Sequence, residues 1–107
     1  MAGKEIQRRD LFGRLGSIKR QSQWLRAAEV LGFRITHGGK HPYVVRDPEN
    51  PNNGDYTCSV TTIPSNLHTA VNQKIFKQIL NSPVSKRMGI TEDAIWQALD
   101  YSFPTPL

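Results

Sequence analysis

The apolar positions of the chain change period twice. Leu11, Leu15 and Ile18 fall at i, i+4 and i+7, the interval that lines one face of a helix. Gly13 and Gly16 interrupt that stretch, each at a cost of about 1 kcal/mol in a helix interior. Residues 1–21 therefore read as an arm, either a frayed helix that orders on a partner or a disordered tail. A firm helix over 23–31 comes next. Ser22 is a suitable cap. Trp24, Ala28 and Leu31 share one face, with Leu25 beside them. Gly32 suits the position just past the end, because glycine adopts positive φ without steric cost.

From Phe33 the period drops to two. Phe33 and Ile35 alternate with Arg34 and Thr36, which predicts a strand over 33–37 with one apolar face. Gly38-Gly39 is a short turn signal. Tyr43-Val44-Val45 predicts a second strand, and Pro42 belongs at its start because proline cannot donate to a ladder. Residues 47–54 are rich in turn formers. Residues 56–63 predict a third strand, with Tyr56, Cys58 and Val60 alternating against Thr57, Ser59 and Thr61. Helical spacing returns over 68–80, where Val71, Ile75 and Ile79 form a stripe joined by Phe76 and Leu80. Asn81-Ser82-Pro83 stops it, and Lys86 and Arg87 lie in a basic link. Thr91 then caps a short helix with Glu92 and Asp93 in its first turn and Ile95, Ala98 and Leu99 facing inward. Residues 101–107 form a tail. The order helix–strand–strand–strand–helix predicts an α+β domain, an antiparallel sheet with helices on one face.

Composition narrows this picture. With 107 residues, 37% hydrophobic and 21% charged, the chain is long enough for one core and too short for two. A single cysteine, Cys58, excludes a disulfide framework and favours a reducing compartment; it reads as a small buried hydrophobe. No stretch approaches the roughly 18–20 apolar residues of a membrane span. The charged residues 1–10 lack the apolar segment of a secretory signal, so a cytoplasmic protein without membrane partners is expected.

The net charge of +5 is unevenly placed. Residues 1–26 carry seven basic and two acidic side chains, whereas residues 27–107 carry seven of each. A basic arm on a neutral domain suits contact with a nucleic-acid backbone.

The candidate chemistry gathers at the turn between the first two strands, where His37, Lys40 and His41 stand close together. RNA carries its own nucleophile, the 2′-hydroxyl. Cleavage needs a group that takes that proton and a charge that stabilises the phosphorane. An imidazole titrating near 6.5 can serve as acid or base at neutral pH, and an adjacent ammonium can stabilise the phosphate oxygens. His41 is the candidate general acid/base and Lys40 a phosphate contact. His37, Arg34, Arg46, Lys74 and Tyr43 are candidate RNA contacts, the tyrosine by stacking on a base. His68 reads as the start of the second helix. His37, His41 and Cys58 lack a zinc-ligand spacing, and Asp47, Glu49 and Asp55 read as turn residues rather than a carboxylate cluster. No metal or other cofactor is expected.

The series of motifs resembles the HicA-type (YcfA-like) mRNA interferase toxins. It runs through Leu31-Gly32-Phe33, then Gly39-Lys40-His41-Pro42-Tyr43-Val44-Val45-Arg46-Asp47-Pro48. Ile63-Pro64 and Ile75-Phe76-Lys77-Gln78-Ile79-Leu80 follow, and Gly89-Ile90-Thr91-Glu92-Asp93-Ala94-Ile95-Trp96-Gln97-Ala98-Leu99 closes it. The likeness covers residues 22–100. It implies a double-stranded-RNA-binding-domain-like α-β-β-β-α fold with a three-stranded antiparallel sheet and a short C-terminal helix. It also implies a metal-independent endoribonuclease acting on mRNA, restrained by a HicB-like antitoxin protein. His41 matches the family's catalytic histidine, and Gly39, in the matching turn, is a further RNA contact. The family's turn is usually Gly-Ser-His-His; here it is Gly39-Lys40-His41-Pro42. Residues 1–21 are an extension and 81–88 an insertion. The readings kept beside it are a non-catalytic RNA- or partner-binding module of the same fold, and a DNA-associated protein using the basic arm.

Overall fold

A computed structural model describes residues 6–37, 43–49 and 59–99. Gly39, Lys40, His41 and Pro42, together with Tyr56, Cys58 and the 101–107 tail, lie outside the described residues. The elements in order are α1 (Arg9–Phe12), a 3-10 turn (Leu15–Ser17), α2 (Gln21–Val30), β1 (Arg34–His37), β2 (Tyr43–Arg46), β3 (Ser59–Ile63), α3 (Thr69–Asn81), α4 (Pro83–Met88) and α5 (Glu92–Ala98). The fold is mixed α+β, with one antiparallel sheet in the order β1-β2-β3.

Ile35, Val45, Thr61, Tyr43 and Ile63 share the sheet face that joins the core, and Val45 and Ile63 are fully buried there. Trp24, Phe76, Ile79, Ile95 and Trp96 are buried opposite them. The other sheet face carries Arg34, Thr36, Val44, Arg46, Ser59 and Thr62, none of them buried.

Period-two alternation fails at one point of the third strand. The ladder shifts between Val45 and Arg46, so that Val45 opposes Thr61 but Arg46 opposes Ser59. The extra residue is Val60, and both Val60 and Thr61 are buried. A bulge of this kind puts two neighbours on one side. The Thr61 hydroxyl is compensated by a hydrogen bond to Gln78 Oε1 on α3.

Two helices end in the same way, and for the same reason. Past α2, Gly32 has φ +93°, its N–H bonds to Glu29 O, and the N–H of Phe33 bonds back to Ala28 O. Past α4, Gly89 has φ +74°, its N–H bonds to Lys86 O, and Ile90 N–H bonds to Ser85 O. Both are Schellman closures with a buried apolar residue after the glycine.

The helix starts differ from expectation in two places. Ser22 lies inside α2, not before it; Arg20 is the N-cap. Gln23 Oε1 accepts the backbone N–H groups of Lys19 and Arg20, 2.9 and 3.1 Å away, and so draws the start two residues earlier. At 81–83 a helix ends and another begins. Ser82 caps α4 by accepting Val84 N–H at 3.1 Å, and Pro83 occupies the first turn, where its missing N–H costs nothing. Thr91 caps α5 as expected, accepting Ala94 N–H.

Residues 6–21, the described part of the expected arm, are built into the fold, and Gln21 already belongs to α2. Leu11, Leu15 and Ile18 are all buried. Asn72 of α3, itself fully buried, donates to Leu15 O at 2.7 Å and Ile18 O at 2.9 Å and accepts Trp24 Nε1–H at 2.9 Å. Glu92 accepts the backbone N–H groups of Gln7 and Arg8 together with Trp96 Nε1–H. The expected boundary at 21/22 therefore runs through a continuous core.

Candidate nucleic-acid interface

The first hairpin is set by its register. Arg34, Ile35, Thr36 and His37 oppose Arg46, Val45, Val44 and Tyr43. The closing pair is His37 and Tyr43, whose rings lie 4.6 Å apart at an interplanar angle of 46°. Residues 38–42, which carry Gly39, Lys40 and His41, connect this pair. Tyr43 is half-buried and packs against the core, while His37 is exposed. The tyrosine thus has the packing role, with its ring also in contact with His37.

Arg34 and Arg46 oppose each other on the outward face. Like charges directly across a ladder are unfavourable. Arg46 is tied across the sheet: its Nε donates to Thr36 Oγ1 at 2.9 Å and its Nη1 to Ser59 Oγ at 3.3 Å. Arg34 is exposed. The pair forms a cationic spot on a sheet face otherwise made of hydroxyls and one valine, chemistry suited to a phosphate oxygen. Lys74 stands apart from both, exposed on α3, which packs on the opposite sheet face.

Asp47 is the buried carboxylate of this region. It accepts Glu49 N–H at 3.0 Å, as an Asx turn does, and the guanidinium of Arg87 on α4. The turn reading of Asp47 is correct. Its tether to Arg87 was not legible, because Arg87 lay in a stretch without a helical signal. His68 is the residue before α3 and is exposed. Among the described residues, no group of three or more His, Cys, Asp or Glu is placed to hold a metal ion, and no helix is long and apolar enough to cross a membrane.

No family model, curated protein or solved structure matches this chain.

Proposed function

We propose that the chain is a HicA-like endoribonuclease with a double-stranded-RNA-binding-domain-like core, acting as a toxin on mRNA and restrained by a HicB-like antitoxin. The observation that carries this reading is the hairpin closed by His37 and Tyr43. Its connection holds Gly39-Lys40-His41, and it sits within the order α2-β1-β2-β3-α3 that the resemblance implies. In this reading His41 removes the 2′-hydroxyl proton or protonates the leaving oxygen, and Lys40 stabilises the phosphorane. His37 contacts a phosphate at the closing end of the hairpin. Arg34 and Arg46, three ladder steps away on the outward face, hold a phosphate farther along the RNA, and Tyr43 stacks on a base. The antitoxin blocks the toxin by covering the hairpin.

The experiment is incubation of the purified protein with a defined RNA in EDTA. The wild type is expected to cleave, and His41→Ala to slow cleavage by about 10²–10⁴-fold, the worth of one positioned acid/base. Equal rates would remove His41 from the chemistry. Activity lost in EDTA and restored by a divalent ion would overturn the metal-free mechanism. RNA binding without cleavage would favour the binding-module reading. Binding confined to DNA would favour the DNA-associated one.

A further inference from the structure

The two stretches that pack together at the N-terminal side of the fold are both free of acidic residues. None occurs between Asp10 and Glu29, where Arg14, Lys19, Arg20 and Arg26 lie, nor between Asp55 and Glu92, where Lys74, Lys77, Lys86 and Arg87 lie. The structure joins the first stretch to α3. Phe12 O accepts Gln73 Nε2–H at 3.1 Å, and the Phe12 ring packs on Phe76 with Lys77 Nζ 5.5 Å from its centroid. Asn72 holds the carbonyls of Leu15 and Ile18, and Gly16 lies against Thr69. Gln21 Nε2 then reaches Ile63 O at the end of β3. The N-terminal segment thus runs along α3 from Lys77 back past Thr69. Lys19, Arg20, Lys74 and Lys77 are all exposed. The nearest acid in sequence, Asp10, is paired with Arg8 at 3.1 Å.

We infer that this ridge, formed by residues 12–20 and the exposed stripe of α3, is a prebuilt binding surface for the sugar-phosphate backbone of single-stranded RNA. The inference rests on the RNA reading above. It differs from a flexible basic arm in that the cations are fixed on a folded face, so little ordering entropy is lost on binding. Lys77 flanks the segment at Phe12. Lys74, one turn earlier on the same exposed stripe of α3, lies on the opposite side of the sheet from Arg34 and Arg46, so one RNA meets two basic surfaces.

The test uses the His41→Ala chain, so that the RNA stays intact, and a fluorescein-labelled single-stranded RNA whose binding is followed by anisotropy from low to high salt. Two ridge pairs are compared, Lys19→Gln with Arg20→Gln and Lys74→Gln with Lys77→Gln, against an off-ridge pair, Arg26→Gln with Lys86→Gln. Thermal melts verify that each is folded; the 19/20 pair leaves Lys77 over the Phe12 ring and serves if the other pair unfolds. Each ridge pair is expected to flatten the log–log salt slope by about 1.4, or about 0.7 for each phosphate no longer neutralised, and the off-ridge pair to leave it unchanged. Equal flattening by all pairs would reduce the effect to net charge and overturn the inference, as would an unchanged slope in both ridge pairs or tighter binding of duplex DNA. If the unmutated chain binds with the expected slope changes but never cleaves, the catalytic reading fails and the ridge stands. If it cleaves and no ridge pair alters the slope, the ridge fails alone.

Discussion

Asn72 shows what one side chain does in this fold. It sits among the apolar positions of α3, where a polar residue is costly unless satisfied. Its three side-chain hydrogen bonds go to parts of the core that sequence periodicity treats separately: the indole of Trp24 and the carbonyls of Leu15 and Ile18. Replacing it with leucine would conserve bulk but leave the Trp24 indole N–H and the Ile18 carbonyl without this partner, at roughly 1–3 kcal/mol each, while Leu15 O keeps the Ile18 N–H. Asn72→Leu is therefore expected to lower stability by about 2 kcal/mol or more in urea titration, despite its greater apolarity. A loss under about 1 kcal/mol would show that those groups find other partners. The stripe Val71, Ile75 and Ile79 was legible because it follows a period. Asn72 was not, because its partners lie 48 to 57 residues away and no local pattern encodes them. Glu92 is a similar case: its place in the first turn of α5 reads as dipole stabilisation, while its three donors include two backbone amides 84 and 85 residues distant. The candidate site shows the same limit. The two strands of the hairpin were legible from alternation, but the register was not. A two-residue Gly38-Gly39 turn would set His37 against Lys40, whereas the ladder pairs it with Tyr43. The Arg46 hydrogen bond to Ser59 depends on the bulge.

Glycine carries different information in different elements. Gly32 and Gly89 mark helix ends by their positive φ; Gly32 was readable as such, and Gly89 was not, because the helix it ends gave no signal of its own. Gly13 and Gly16 were readable only as obstacles to a long helix, which is correct: α1 ends at Phe12 and a 3-10 turn follows. What the sequence did not disclose is that Gly16 also makes room for α3. A Cβ built on it would meet Thr69 Oγ1 at 2.3 Å, while Thr69 Cβ is 3.5 Å away. Gly16→Ala is expected to destabilise the protein by about 1–3 kcal/mol, the usual range for overpacking. Removing the hydroxyl in the Gly16→Ala/Thr69→Ala double variant leaves ordinary van der Waals packing and should restore most of the loss, a coupling of at least about 1 kcal/mol between touching residues. Additive losses in a double-mutant cycle would mean that the alanine is accommodated by a shift of the whole turn. Residues 81–88 were obscured for a related reason. Ser-Pro reads as a stop, yet it is also a good start, and only Ser82 accepting Val84 N–H distinguishes the two.

For the whole molecule, the decisive question is whether the basic N-terminal segment is an appendage or a layer of the core. Charge counting separates it from the domain; burial joins it. Leu11, Leu15 and Ile18 are each at most 4% exposed. Burying a side chain of this size contributes about 1.5–3 kcal/mol, and three of them approach the whole stability of about 5–10 kcal/mol expected for so small a domain. Their removal would also leave Asn72 without its two carbonyl partners and Glu92 with only Trp96 among the three donors named for it. Deleting residues 1–20 is thus expected to abolish cooperative thermal unfolding, not merely to weaken RNA binding. Circular dichroism melts and amide chemical-shift dispersion would show it. A truncated chain that kept a sharp transition would return the segment to the status of an arm. The same reasoning decides how the function must be probed. A truncation would lower nucleic-acid binding whether or not Lys19 and Arg20 touch a phosphate, since the ridge they occupy with α3 exists only while Leu15 and Ile18 hold it in place. Neutralising the lysines and arginines one pair at a time leaves those anchors untouched, so only such variants separate the role of the charge from that of the fold.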